Sequence, residues 1–188
     1  MWLENVKSEL GNNVNFDWRS FSLEQVNNRN DSGWKAWEQG PEYDSRGIPA
    51  LHSSEAARHQ GRELHNKYIV SLLEAKHVNR ADIRQRTTLI KIAEDSCLDI
   101  EQFKQDLDDP ELLTQIGRDH ETAAELGIFG TPTYVFEKGK PAFLKMFAPA
   151  KEQSLEVWNI FVTLACEVET LGELKRPQPP WPKGIFNR

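Results

Sequence analysis

Cysteine is scarce in this chain: 188 residues hold two, Cys97 and Cys166. Each falls where a helical pattern takes a small apolar residue, so the expectation is a pair of buried free thiols. Neither shows the helix-N-terminal, cation-flanked setting that lowers a thiol's pKa, and no catalytic residue is assigned. Nor does either position favour a structural disulfide.

Other absences narrow the choice further. No apolar run approaches the ~20 residues of a membrane-spanning helix. There is no GxSxG elbow, no glycine-rich phosphate loop and no GxGxxG after a strand, so hydrolase, nucleotide-binding and dinucleotide-binding readings lack their motifs. His52, His59 and His65 miss the i, i+4 spacing of a helical zinc pair and have no cysteine cluster beside them, so no metal site is assigned. His120, among Arg118, Asp119 and Glu121, reads as a solvated or hydrogen-bonded helix residue.

Basic residues are outnumbered. The formal charge is −6, with basic and acidic side chains interspersed. A diffuse acidic surface is not drawn to nucleic acid or an anionic membrane, and neither is expected as a partner. Met1-Trp2-Leu3 is followed at once by Glu4 and Lys7, which leaves no apolar segment of the signal-peptide kind, and a cytoplasmic location is expected for the chain as written. The length suits one domain, or one core with a helical insertion.

The most informative stretch is GIFGTPTYVF, residues 127–136. Before it, Asp109 can cap a helix whose first turn opens at Pro110, with Leu112, Leu113, Ile116, Ala123 and Ala124 on one side. Gly127 then stops that helix as a left-handed residue would. Thr133 to Phe136 is β-branched and aromatic, residues 137–140 form a turn, and 142–147 return as a second strand. A last amphipathic helix is expected from Glu152 to Leu171, with Leu155, Trp158, Phe161, Val162, Ala165 and Val168 on its apolar face.

Upstream, residues 14–19 alternate apolar and polar, the period of a half-buried strand. Ser53 or Ser54 can cap a helix running to Ala75, Asn79 a second carrying Ile83, Thr87 and Ile90, and Asp99 a short third with Phe103 and Leu107 inward. Trp34, Trp37, Gly40, Pro41 and Tyr43 make an aromatic, turn-rich connection. Its indoles either fill a seam between layers or line a groove. The proline-rich tail, 176–188, reads as an extended segment pinned by Trp181, or as a polyproline ligand.

AAELGIFGTPTYVF, followed by a hairpin and a helix, resembles the second half of the DsbA-like thioredoxin fold. The likeness extends to FSLEQVN, residues 21–27, which is similar to the segment after that family's second strand. Residues 59–103 are similar to its inserted all-helical lid. The resemblance implies an α/β thioredoxin-like fold, with residues 1–27 and 109–175 as an incomplete core and 50–108 as the lid. It also implies a cis bond at Thr131–Pro132, which residue statistics alone would leave trans.

In that family the proline loop faces a redox-active cysteine, and the residue before the proline pairs with the sulfur partner. The resemblance therefore implies Gly130, Thr131 and Pro132 as substrate-binding, with Trp34 and Trp37 as groove lining. In the family, a strand ending in a Cys-Pro motif precedes the first helix; residues 2–6 look like the body of that helix. The expectation is that Met1 is an internal methionine and that the strand and cysteine lie upstream, with donation of a strand by a partner chain as the alternative.

By this resemblance the function is thiol–disulfide oxidoreduction, with this chain alone inactive. Alternatives of the same fold are transferases and isomerases that use a low-molecular-weight thiol such as glutathione or mycothiol, and binding proteins without redox activity. The implied partner is a small thiol or a disulfide-containing substrate, and a homodimer stays open.

Overall fold

The computed structural model describes residues 2–28, 33–40 and 42–174. In chain order the helices are α1 (Trp2–Leu10), α2 (Leu23–Val26), α3 (Ile48–Arg58), α4 (Arg62–His77), α5 (Arg86–Asp95), α6 (Ile100–Asp106), α7 (Glu111–Glu125) and α8 (Ser154–Cys166). The strands are β1 (Thr133–Tyr134) and β2 (Ala142–Phe143). The chain forms two compact units, residues 17–130 and residues 1–16 with 131–188. The proline-rich tail lies outside the described residues.

The discontinuous unit is built on aromatic rings. Val6 of α1 is fully buried, and Trp2, Trp158 and Phe161 are nearly so. The ring centroids of Trp2 and Trp158 are 5.9 Å apart, those of Phe16 and Trp158 5.5 Å, and those of Tyr134 and Phe161 4.9 Å. Such tilted and edge-on pairs contribute beyond area burial alone. Two polar ties orient α1 on α8: the Trp2 indole N–H donates to the Ser154 carbonyl at 3.0 Å, and the Asn5 amide to the Ser154 hydroxyl at 3.2 Å. Strands β1 and β2 pair antiparallel, Thr133 opposite Phe143 and Tyr134 opposite Ala142. At the hairpin turn Gly139 takes φ +115°, and an added Cβ would lie 3.1 Å from Cys166 Sγ and 3.0 Å from the Ala165 carbonyl.

The continuous unit is helical. Tyr68, Leu72, Leu89, Ile92, Phe103 and Leu112 form its aliphatic and aromatic core, and Ala50, Ala56 and Ala57 let α3 approach its neighbours closely. A second cluster joins Ala36, Trp37 and Ile48 to Ile116 of α7.

Several expectations are corrected. Residues 14–19 join no sheet among the described residues, although Val14, Phe16 and Trp18 are half-buried while Asn15, Asp17 and Arg19 are exposed. The alternation is kept without a ladder. Ser53 and Ser54 are not caps; they are buried within α3, which starts at Ile48, its amide donating to the Ser45 hydroxyl at 2.9 Å. Proline in that first turn costs no hydrogen bond, which favours the earlier start. Gly61, at φ +94°, then breaks the run expected to reach Ala75. α5 begins at Arg86, not Asn79, because Ala81 to Gln85 form a turn around Asp82 and Arg84. α8 ends at Cys166, short of Leu171.

The compact units also divide differently from the partition expected, since residues 17–27 and α7 pack with the helices expected as the lid. Cys97 is exposed, not buried: it sits just past α5 with φ +64°, turned out of the helical pattern that predicted it inward. Cys166 is half-buried, and both thiols are free.

Candidate functional site

The loop between α7 and β1 is shaped by its own residues. Asp109 accepts the Glu111 amide at 2.9 Å and so satisfies a donor at the start of α7. Gly127, at φ +75°, ends the helix, with its amide on the Ala124 carbonyl at 2.9 Å and that of Ile128 on the Ala123 carbonyl at 3.0 Å. Gly130 is buried, and the Thr131–Pro132 peptide bond is cis. Thr131 and Pro132 are both exposed. The Pro132 carbonyl accepts the Leu144 amide at 3.2 Å, which fastens the loop's exit to the returning strand.

Trp34 and Trp37 belong to the helical unit. Trp37 is 6% exposed and packs on Gly117, where an added Cβ would lie 2.5 Å from the indole nitrogen. It is thus a seam-filling residue rather than groove lining, since the missing Gly117 side chain makes its room. The Lys35 ammonium lies 5.2 Å from its ring. Trp34 is half-buried and edge-on to Tyr43 at 5.6 Å.

A polar assembly in the same unit went unread from sequence. Residues 17–22 run extended, and their alternate amides are taken by adjacent side chains of α7: Ser20 N–H by Asp119 at 3.0 Å and Ser22 N–H by His120 Nδ1 at 3.2 Å. Glu55 is 2% exposed and accepts from the Ser20 hydroxyl at 2.6 Å and from Arg58 Nε at 2.9 Å. Arg58 also reaches Asp17 at 2.9 Å and the Trp18 carbonyl. The signal was present: a lone Glu three residues before Arg in a helix otherwise rich in alanine and serine, where small side chains imply close packing.

Ionisation follows from this packing. Burial favours the neutral form of Asp17, but hydrogen bonds and charge from Arg58 and Arg19 outweigh it and hold the carboxyl below its usual range. Burial, then the nearby Arg58 charge, pushes His65 down to about 4; its Nε2 lies 3.1 Å from the Ser54 hydroxyl. His120 is lowered by burial and next by Lys35, and it stacks on Phe21 at 4.7 Å. Burial raises Tyr134 to about 12.

Among the described residues no group of three or more His, Cys, Asp or Glu could hold a metal ion, and no helix is long and apolar enough to cross a membrane.

The fold, with its helical insertion and its helix–proline loop–hairpin–helix ending, defines a thioredoxin-like protein. The family model described as thioredoxin matches residues 3–142, and the chain belongs to that family. It is similar to the ClpXP adapter protein SpxH of Bacillus subtilis, 32% identical over 81 residues, which are 43% of this chain and 27% of that protein. SpxH of Bacillus licheniformis is 33% identical over the same proportions. The chain thus spans about a quarter of the length of these relatives. Among solved structures it resembles a candidate protein disulfide isomerase from Nitrosomonas europaea, with TM-score 0.49, 19% identity, and 62% of this chain and 57% of that one covered.

Proposed function

We propose that this chain is the substrate-presenting part of a DsbA-like thiol–disulfide oxidoreductase, in which Gly130, Thr131 and Pro132 position the sulfur partner. The observation that supports this best is the placement of the loop: it lies inside the matched region, exposed, between the Gly127 helix stop and a hairpin that holds the Pro132 carbonyl. The attacking thiolate would come from residues outside this sequence, because Cys97 follows the end of α5 and Cys166 closes α8. On this reading the chain recognises a small thiol or a disulfide-bearing substrate in the cytoplasm.

A second reading is a redox-inactive binding protein of the same fold. The likeness to an adapter protein supports it. So does the position of both cysteines outside the first turn of every described helix.

Disulfide exchange with a small aromatic disulfide separates the two. The expected outcome is no turnover by the 188-residue chain, and turnover by a form extended through any in-frame upstream codons. Thr131→Arg in the extended form should slow that turnover by blocking the loop. Inactivity of the extended form favours the binding protein.

A further inference from the structure

The helical unit contains a cavity of about 370 Å³, within the range of small-molecule sites. Its walls come from α3, from α7 with the turn before it, and from Arg19 of the extended segment. The charges lining it differ in how they are used. Glu55 is buried and occupied by Ser20 and Arg58, and Arg19 is drawn to Asp17 at 2.6 Å and Asp119 at 3.5 Å.

Among the described residues three charged side chains of the lining make no ion pair; one is Asp109, whose carboxylate accepts the Glu111 amide at 2.9 Å. The other two are Glu111 and Arg118. They sit seven residues apart on α7 with Gln115 between them, and i, i+4, i+7 is one stripe of a helix. The Gln115 amide nitrogen is committed to Asp119 at 2.9 Å, which leaves its carbonyl oxygen as an acceptor.

We propose that this cavity binds a short zwitterionic peptide, its carboxylate toward Arg118 and its ammonium toward Glu111. Seven residues of helix rise roughly 10 Å, and three residues of extended chain span about the same distance, so a tripeptide fits the two charges. Arg118 supplies the fork that pairs bidentately with a carboxylate. Gln115 accepts a peptide N–H midway, and Leu112 gives the wall an apolar surface. A simple anion would meet Glu111 and Asp109 at one end with nothing to compensate them. This site is independent of the redox reading, because no sulfur chemistry enters it.

The test is calorimetric titration of the whole chain with triglycine, N-acetyl-triglycine and N-acetyl-triglycine amide, beside Arg118→Gln and Glu111→Gln. Both substitutions are at exposed helix positions, and far-UV circular dichroism checks the fold. Saturable binding of triglycine is expected, weakened about tenfold by either substitution, as loss of one charge-assisted hydrogen bond implies. N-acetyl-triglycine should respond to Arg118→Gln but not to Glu111→Gln, and the amide should bind at least about tenfold more weakly than triglycine. No saturable binding, indifference of either variant to its own end of the probe, or inorganic phosphate binding as tightly as triglycine overturns the proposal.

Discussion

The two compact units solve the same problem with different chemistry. The discontinuous unit closes on rings: Trp2, Phe16, Tyr134, Phe136, Trp158 and Phe161 meet between two helices and a two-rung hairpin. The helical unit has its own apolar core but adds a charged assembly, in which Glu55, Arg58, Asp17 and Asp119 hold an extended segment that has no strand beside it among the described residues. Aromatic packing carries no formal charge and changes little with pH or salt. A buried ionic network is directional, and it fails when one member is removed.

That contrast can be broken. Trp158→Ala should cost most, about 4 kcal/mol, because five ring contacts and the α1–α8 seam are lost together. Its effect on the urea midpoint should be the same at low and high salt. Glu55→Ala should cost about 3 kcal/mol by leaving Arg58 Nε and the Ser20 hydroxyl without their acceptor, with the loss moderated by the water that reaches Arg58 and by its remaining bond to Asp17. If the aromatic deletion proves pH- or salt-sensitive, the division of labour is wrong.

Gly117→Ala should cost about 2 kcal/mol, since the new methyl would overlap the Trp37 indole. Quenching of native tryptophan fluorescence by acrylamide should rise if Trp37 is displaced. Acid sharpens the comparison further. His65 is held neutral, its folded pKa near 4 against an ordinary 6.5, so the unfolded chain takes up the proton first. Its contribution is complete above pH 6.5 and is lost as the pH falls from there towards 4. His120, also lowered, acts in the same direction, because a protonated Nδ1 cannot accept the Ser22 amide. Chemical denaturation between pH 7 and 4 should show His65→Gln flattening the decline. The smallest effect is expected at Thr131→Ala, an exposed loop position, within about 0.5 kcal/mol of the parent in the same measurement.

Local signals were legible where the backbone itself demands a residue. Asp99 capping α6, Asp109 at the start of α7, Gly127 ending it and the hairpin after Pro132 could all be read directly, since each rests on neighbours within a few residues. The α3 start was misread because Ser53 and Ser54 look like caps, yet their hydroxyls are buried by tertiary packing; Ser53 bonds back to the Ala50 carbonyl at 2.8 Å. Cys97 was misread for a related reason, as a helix pattern says nothing of the left-handed residue that ends it. The polar assembly was invisible because Ser20, Glu55 and Asp119 meet across long sequence separations. Of the residues named for a groove, Trp37 proved to be core, and only the packing against Gly117 distinguishes the two roles.

The amides of Ser20 and Ser22 fall on consecutive residues of one helix, and this sets a length rule for the chain. Successive helix positions differ by 100° in direction and 1.5 Å in height, so Asp119 and His120 meet their amides at only one phase of α7. Adding or deleting one residue between Leu112, anchored in the core, and Asp119 would swing both acceptors away together while leaving the helix intact. The turn between α4 and α5 carries no such phase. Over the course of divergence, insertions should accumulate there and be excluded from the first two turns of α7.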